Sequence, residues 1–421
     1  MQCNSIRGLI LYSMMPGSLL DIENVLLYAP LWQLALGGLI VVWVVNWIMF
    51  RPKLVKSPDF YNFRSEKVRR MKMKSFPPPY PNGWVRLCST QDIAGGKIHS
   101  ISALGREFVA FRGDNGKAGV LDAYCPHLGA HLGQGGKIVN GNIECPFHSW
   151  QFNTDGKAVE IPYCRKDIPS RAKTKAYHVR EHLGMVFIWF HAESECQDPQ
   201  WELEFHKDCL DDSRFYFVTS RQMEFDHHVI EMHLNSADYF HFSTLHKALP
   251  LPILDKFLFG LHNLKARYFE NAIPSKPHIC FFEEKMEKLF LFGKISVVPS
   301  FILNSIAVKV TFEGPTIVHF SVKTILGEMR MIKTILPISP FHQYVEARWW
   351  ADRSVPRWLC FIMTIVAGRA LEQDREVWSN KMYHEKPMLV SGDGPFPAFK
   401  RYYNQFYSDN SKSLAENELE W

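Results

Sequence analysis

A chain of 421 residues, 47% of them hydrophobic and 12 of them tryptophan, has room for two or three domains with proper cores and for a lipid-facing part. Its net charge of +5 is too mild to imply nucleic acid as a partner. Nine cysteines, odd in number and irregularly spaced, exclude a disulfide scaffold in so long a chain and read as reduced thiols in a cytosolic setting.

From Val25 to Phe50 the chain runs "VLLYAPLWQLALGGLIVVWVVNWIMF", with no charge and only Gln33 and Asn46 strongly polar. At about 1.5 Å per residue this stretch spans a bilayer core of about 30 Å with room for tilt. Trp32, Trp43 and Trp47 are the amphipathic rings expected towards the interfaces. A secretory signal would be shorter, nearer the N-terminus and followed by a small-residue cleavage site. Residues 51–74 carry nine Lys/Arg, whereas residues 1–24 have only Arg7, so the positive-inside rule leaves the bulk of the chain in the cytosol. The expectation is a single-pass anchor in an endomembrane, the endoplasmic reticulum by preference. "SFPPPYPNGW" then forms a stiff spacer before the first folded unit.

Cys125-Pro126-His127 and Cys145-Pro146-Phe147-His148 follow, giving C-x-H-x17-C-x2-H. The turn signals Asn140-Gly141 and Asp155-Gly156 sit among short apolar strands, so each Cys/His pair is predicted on a loop at the tip of a β-hairpin. Zinc sites usually pair Cys with Cys and His with His. Here each loop offers one thiolate and one imidazole, which suits a [2Fe–2S] centre with two cysteines on one iron and two histidines on the other. His131 falls outside both pairs and reads as structural.

On these residues the chain resembles the Rieske proteins, and "CPHLGAHL…CPFHSW" is a close match to their cluster-binding loops. Respiratory members add a disulfide between the loops, near the Ala130 and Phe147 positions. Its absence here points to the ferredoxin and oxygenase branch.

About eighty residues on, "EMHLNSADYFHFSTLH" places Asn235, Asp238 and His241 three apart, so a continuous helix would put them on one face, with His246 curling back to the same metal. Two histidines and one carboxylate make the facial triad of non-haem Fe(II) oxygenases. His227, His228 and His233 read as surface or supporting residues. N-x2-D-x2-H-x4-H resembles the mononuclear-iron motif of the Rieske oxygenases. That resemblance implies iron ligands at His241 and His246, with Asp238 bonded to a ligating histidine and relaying electrons from a cluster in a neighbouring subunit, hence a homotrimer. Asn235 is a weaker candidate for support. Of Glu372, Asp374 and Glu376, ordinarily a solvated helix face, Asp374 with Trp378 four residues on fits the family's third ligand best, and Glu376 is the runner-up.

Residues 280–350 alternate apolar and polar as an antiparallel sheet with one buried face. Residues 358–366, "WLCFIMTIV", are too short to span a bilayer and read as a core helix, with a membrane-resting mouth as the alternative. The expected class is α+β: an N-terminal non-cytosolic stretch (1–24), a transmembrane helix (25–50), a basic and Pro-rich linker (51–83), an all-β Rieske domain (84–195) and a helix-wrapped antiparallel-sheet catalytic domain (200–421).

No G-x-G-x-x-G fingerprint follows a strand, so electrons from NAD(P)H are expected through a separate reductase or ferredoxin. The anchor implies a lipid-soluble substrate. The whole layout looks like the animal cholesterol 7-desaturases (Neverland-type enzymes), which implies O2-dependent desaturation of a sterol. Steroid hydroxylation on the same machinery and a non-catalytic electron carrier are the alternatives.

Overall fold

Short β-branched and aromatic runs broken by Gly-containing turns make the N-terminal half of the described chain all-β. Its strands are β1 (Gly83–Ser89), β2 (His99–Ala103), β3 (Arg106–Arg112), β4 (Ala118–Asp122), β5 (Lys137–Val139), β6 (Asn142–Glu144), β7 (Gln151–Phe152), β8 (Ala158–Glu160), β9 (Val179–His182) and β10 (Met185–Phe190). They form antiparallel sheets of order β1-β10-β9, β2-β3-β4 and β5-β6-β7-β8. The predicted hairpin at Asn140-Gly141 joins β5 to β6, with both residues at positive φ (50° and 75°), as a tight two-residue turn requires. Phe111, Ile143 and Phe152 pack a small core directly behind Cys125 and Cys145.

The computed structural model describes residues 76–414 apart from 194–195, 211–212, 239, 247–259, 271–272, 292–294 and 297–304. The predicted span 25–50 and the basic stretch 51–74 lie outside the described residues, among which no helix is long and apolar enough to cross a membrane.

The C-terminal half is built on one antiparallel sheet. Its strands are β11 (Phe215–Phe225), β12 (Gly260–Phe269), β13 (Ile279–Leu291), β14 (Ile295–Ser296), β15 (Ala307–Glu313), β16 (Ile317–Thr324), β17 (Gly327–Ser339) and β18 (His342–Asp352). The order is β11-β18-β17-β16-β15-β13-β12, with β14 against β13. Period-2 alternation turns one face towards the described helices α1 (Val229–Leu234), α2 (His241–Thr244), α3 (Arg357–Asn380) and α4 (Phe396–Asn404). Met331, Ala347 and Trp349 lie against Leu359 and Met363 of α3. Cys280, Phe282 and Phe312 are sealed by Phe399 and Tyr402 of α4 and Ile230 of α1.

The predicted sheet is therefore present, whereas the helix expected over 358–366 runs for 24 residues, Arg357–Asn380. That length lets one helix both cover the sheet through its first half and deliver Asp374 from its second. The two halves interlock through buried charge: Arg86 of β1 pairs with Glu346 of β18, and Arg348 bridges Glu346 (2.6 Å) to the Ser89 hydroxyl (2.7 Å). Arg86 and Glu346 are 4% and 1% exposed, so removing either would strand a buried charge.

Candidate metal centres

The two Rieske loops close in the same way. In the first, the Gly129 N–H donates to the Cys125 carbonyl (3.0 Å) and the Cys125 N–H to the Ala130 carbonyl (2.9 Å). In the second, Ser149 and Trp150 repeat both bonds around Cys145, at 3.1 and 2.8 Å. The closure needs a left-handed residue four places after each cysteine, and Gly129 (φ 75°) and Ser149 (φ 55°) supply it. Each loop thus holds its cysteine inward and its histidine at the tip.

Both cysteines are free and buried, and burial pushes the Cys125 thiol up to about 11. The His127 and His148 rings lie 4.7 Å apart, and His127 stacks on Trp150 at 4.7 Å with 7° between planes. His127 Nδ1 is buried and makes no hydrogen bond among the described residues. An orphaned imidazole nitrogen beside two buried thiols fits metal ligation and has no other account in the fold. Leu128, Phe147 and Tyr163, all more than half exposed, ring this tip with apolar surface. His131 is structural, as expected: its Nδ1 accepts the Gly133 N–H at 3.1 Å.

In the C-terminal half, His241, His246 and Asp374 converge with one ligand atom each, all within 4.8 Å of one another. Asp374 Oδ1 lies 3.1 Å from His246 Nε2 and 3.8 Å from His241 Nε2. The outward atoms are committed elsewhere. His241 Nδ1 donates to the Asp238 carbonyl (2.7 Å), His246 Nδ1 to Gln373 Oε1 (2.9 Å), and Asn235 Nδ2 donates to Asp374 Oδ2 (3.2 Å). Each bond fixes a tautomer or a carboxylate rotamer so that two imidazole nitrogens and one oxygen face a common point. Burial pulls the His241 pKa below its ordinary value. Burial also pulls on His246, but the Asp374 carboxylate outweighs it and leaves that pKa raised. Two imidazoles and one carboxylate around an otherwise open point suit Fe(II).

Three expectations need correction. Asn235, Asp238 and His241 do not share a helical face, because α1 runs into a 3-10 turn over Asn235–Ala237 and the backbone then extends at Asp238 (φ −92°, ψ 101°). The Asp238 carboxylate takes the N–H groups of Phe240 (3.1 Å) and His241 (3.2 Å), restarting the chain as α2, and it is the Asp238 carbonyl, not the carboxylate, that bonds the histidine ring. Of the surface or supporting reading of His227, His228 and His233, the surface half fails: they are at most 3% exposed, and burial holds their pKa values down at about 4, 3 and 3.

Among the late acids, Asp374 is the one that lies with His241 and His246, whereas Glu372 pairs with Arg369 at the surface and Glu376 is exposed. Gln373 went unnoticed in the sequence because nothing but adjacency to Asp374 marks it. Lys333 did too: this fully buried lysine of β17 feels the Asp374 charge, and burial lowers its pKa to about 8. Gly394 also supports the site, since a Cβ there would fall 1.6 Å from the Ala237 carbonyl.

Comparison with known proteins agrees with this division. Residues 83–178 match the Rieske [2Fe-2S] domain, and residues 188–407 match the 3-ketosteroid 9α-hydroxylase C-terminal domain. The chain is 32% identical over 412 residues to cholesterol 7-desaturase nvd of Xenopus laevis, covering 93% of this chain and 88% of that one. It is 33% identical to cholesterol 7-desaturase nvd 1 of Ciona intestinalis, over 82% of this chain and 73% of that one. A probable 3-ketosteroid-9-alpha-monooxygenase oxygenase component of Rhodococcus rhodochrous is 29% identical over 82% of this chain and 84% of its own. Dicamba monooxygenase bound to dicamba shares the fold at 15% identity, with a TM-score of 0.57 over 82% of this chain and 99% of that one. The chain belongs to the Rieske oxygenases, in the group that joins a Rieske [2Fe-2S] domain to a 3-ketosteroid 9α-hydroxylase-type C-terminal domain, and is an oxidoreductase.

Proposed function

We propose that the chain is a membrane-anchored sterol oxygenase that uses O2 and NAD(P)H-derived electrons to 7,8-desaturate cholesterol to 7-dehydrocholesterol. The observation that carries this reading is its likeness to cholesterol 7-desaturase nvd of Xenopus laevis over 93% of its length. In this reading Cys125 and Cys145 hold one iron of a [2Fe–2S] cluster and His127 and His148 the other, while His241, His246 and Asp374 hold a mononuclear Fe(II). Iron in the second site would supply the O2-dependent oxidation of an unactivated C–H bond.

The chain's own residues do the rest. Gln373 and the Asp238 carbonyl aim the two imidazoles, and Asn235 keeps Asp374 presenting a single oxygen. The half-exposed Asp238 carboxylate stands at the surface, where an electron from another subunit's cluster would enter. The apolar ring of Leu128 and Phe147 would dock the cluster tip there within a homotrimer, or onto a reductase or ferredoxin. The span at 25–50 would hold the catalytic half against an endomembrane, endoplasmic reticulum by preference, where its substrate dissolves.

Microsomes bearing the chain, supplied with cholesterol, NADPH and a reductase, test this. A product two mass units lighter with conjugated-diene absorbance, absent with Asp374→Ala, is expected. Likeness to the 3-ketosteroid 9α-hydroxylase C-terminal domain favours a second reading, steroid hydroxylation, whose product would be sixteen units heavier. No turnover of cholesterol with an intact, reducible cluster would contradict both readings for this substrate.

A further inference from the structure

Past the end of α3 the chain runs "KMYHEKPMLVSGDGPF", residues 381–396. Tyr383 is buried, residues 384–393 are all exposed, and Gly394 dips back in. At the tip of this loop Met388 is 95% exposed and Val390 69%. Among the described residues, Met388, Leu389 and Val390 are the longest run of consecutive exposed large apolar side chains, and residues 387–392 hold no charge. Single exposed apolar side chains need no explanation, but three in a row at the top of a protrusion do.

Both feet of the loop stand beside the mononuclear site. α3, which carries Asp374, ends at Asn380, only six residues on. At the far foot an added Cβ on Gly394 would fall 1.6 Å from the carbonyl of Ala237, the residue before Asp238. At the near foot Tyr383 stacks on Phe76 at 4.9 Å, and Phe76 stacks on His228, the residue that caps α1, also at 4.9 Å. The chain that follows the basic stretch is thus clamped at the foot of this loop.

A tether does not orient what it holds. Residues 51–75 separate the predicted span from Phe76, and 25 residues can reach about 80 Å when extended. A substrate dissolved in the bilayer needs one face of the catalytic half turned to the lipid, which takes a second contact. The loop has the make-up of one. Its tip is apolar and uncharged, and the exposed Lys386 just before it suits the phosphate level of a bilayer. The Val390 N–H donates to the Asp393 carboxylate (2.7 Å) and the Asp393 N–H to the Val390 carbonyl (3.1 Å), closing a turn that juts out rather than a flat or grooved face. Protein partners are matched by shape, whereas a protrusion of this kind suits a fluid interface.

We infer that residues 387–392 dip into the membrane interface and hold the loop's two feet, and with them the iron site, at the lipid surface from which the sterol comes. The inference rests on the anchored sterol reading above and adds the surface that meets the bilayer.

The photoreactive p-benzoylphenylalanine at position 388 of the full-length chain, reconstituted in phosphatidylcholine vesicles carrying cholesterol, tests the contact. Irradiation should attach phosphatidylcholine or cholesterol to the chain, whereas the same probe at position 159, an exposed valine of the Rieske half, should attach neither. A crosslink from position 388 to a second copy of the chain, no lipid adduct, or equal adducts from both positions would overturn the inference. With NADPH and a reductase supplied, Met388→Asp combined with Val390→Asp should raise the KM for vesicle-borne cholesterol about tenfold while keeping kcat and the cluster's electron paramagnetic resonance signal. Met388→Leu combined with Val390→Ile should behave as the unsubstituted chain. An unchanged KM in the double Asp variant would overturn the role in substrate delivery. Lipid adducts from position 388 without turnover of cholesterol by the unsubstituted chain would overturn the sterol reading and leave the membrane contact standing.

Discussion

The two metal centres are made in opposite ways. The cluster loops are local: each is a stretch of six residues whose closure depends on two backbone hydrogen bonds and one left-handed residue, and the same geometry occurs twice. The mononuclear site is assembled from afar, since Asp374 lies more than 120 residues from His241 and His246 and each of the three is steered by a different partner. A local loop carries its function in its spacing. An assembled site carries it in packing, so its sensitivity spreads to residues no motif names.

That contrast can be broken in several places, the deepest first. Asp374→Ala should cut turnover by more than about a thousandfold while the cluster's electron paramagnetic resonance signal stays intact. Cys145→Ala should do the reverse to the metals, losing the cluster signal but keeping iron at His241, His246 and Asp374. Loss of both centres in either variant would mean that the two sites fold as one unit.

Gln373→Leu tests the assembled site more finely. With the His246 ring no longer held, iron affinity or activity should fall about tenfold to a hundredfold, read by chelator competition. A change below twofold would show that packing alone orients His246.

A pH profile gives the next effect. Glu284 ionises near its ordinary value when unfolded and at about 7 when folded, so the folded state binds the extra proton between those values. Stability should therefore fall by about 3 kcal/mol as pH rises from about 4.5 to about 7, relative to Glu284→Gln, which lacks the proton. Chemical denaturation of both proteins at each end of that window measures the difference. Equal slopes would mean that the acid finds a partner in solution.

The local loops offer the smallest effect. A Cβ at Gly129 would meet nothing within 4 Å, so Gly129→Ala should cost only the left-handed backbone, about 1 kcal/mol of stability by thermal melting. Ser149→Gly, relieving the same conformation in the other loop, should not destabilise. A much larger loss from Gly129→Ala would show that the loop is fixed by contacts beyond its own backbone.

What could be read from the sequence follows the same line. The Cys/His loops, the Asn140-Gly141 hairpin and the alternating strands from 280 onwards were legible because spacing and turn chemistry act over a few residues. Asp374 was recognisable by its type and its place on a late helix, but its advantage over Glu376 comes from which side of α3 faces the histidines. The break after α1 was not legible: three-residue spacing fits a helix, and only the Asp238 carboxylate capping the next turn reveals the interruption. Buried His227, His228 and His233, the Gln373 contact, and the Arg86–Glu346 lock between halves depend on partners far along the chain, which periodicity does not encode.

The most direct test of the account is a metal inventory of the purified full-length chain and its variants. The two-centre reading predicts about three irons per chain with acid-labile sulfide, about two lost in Cys145→Ala and about one lost in Asp374→Ala. Zinc in place of iron at the Cys/His loops, or an unchanged iron content in Asp374→Ala, would contradict it.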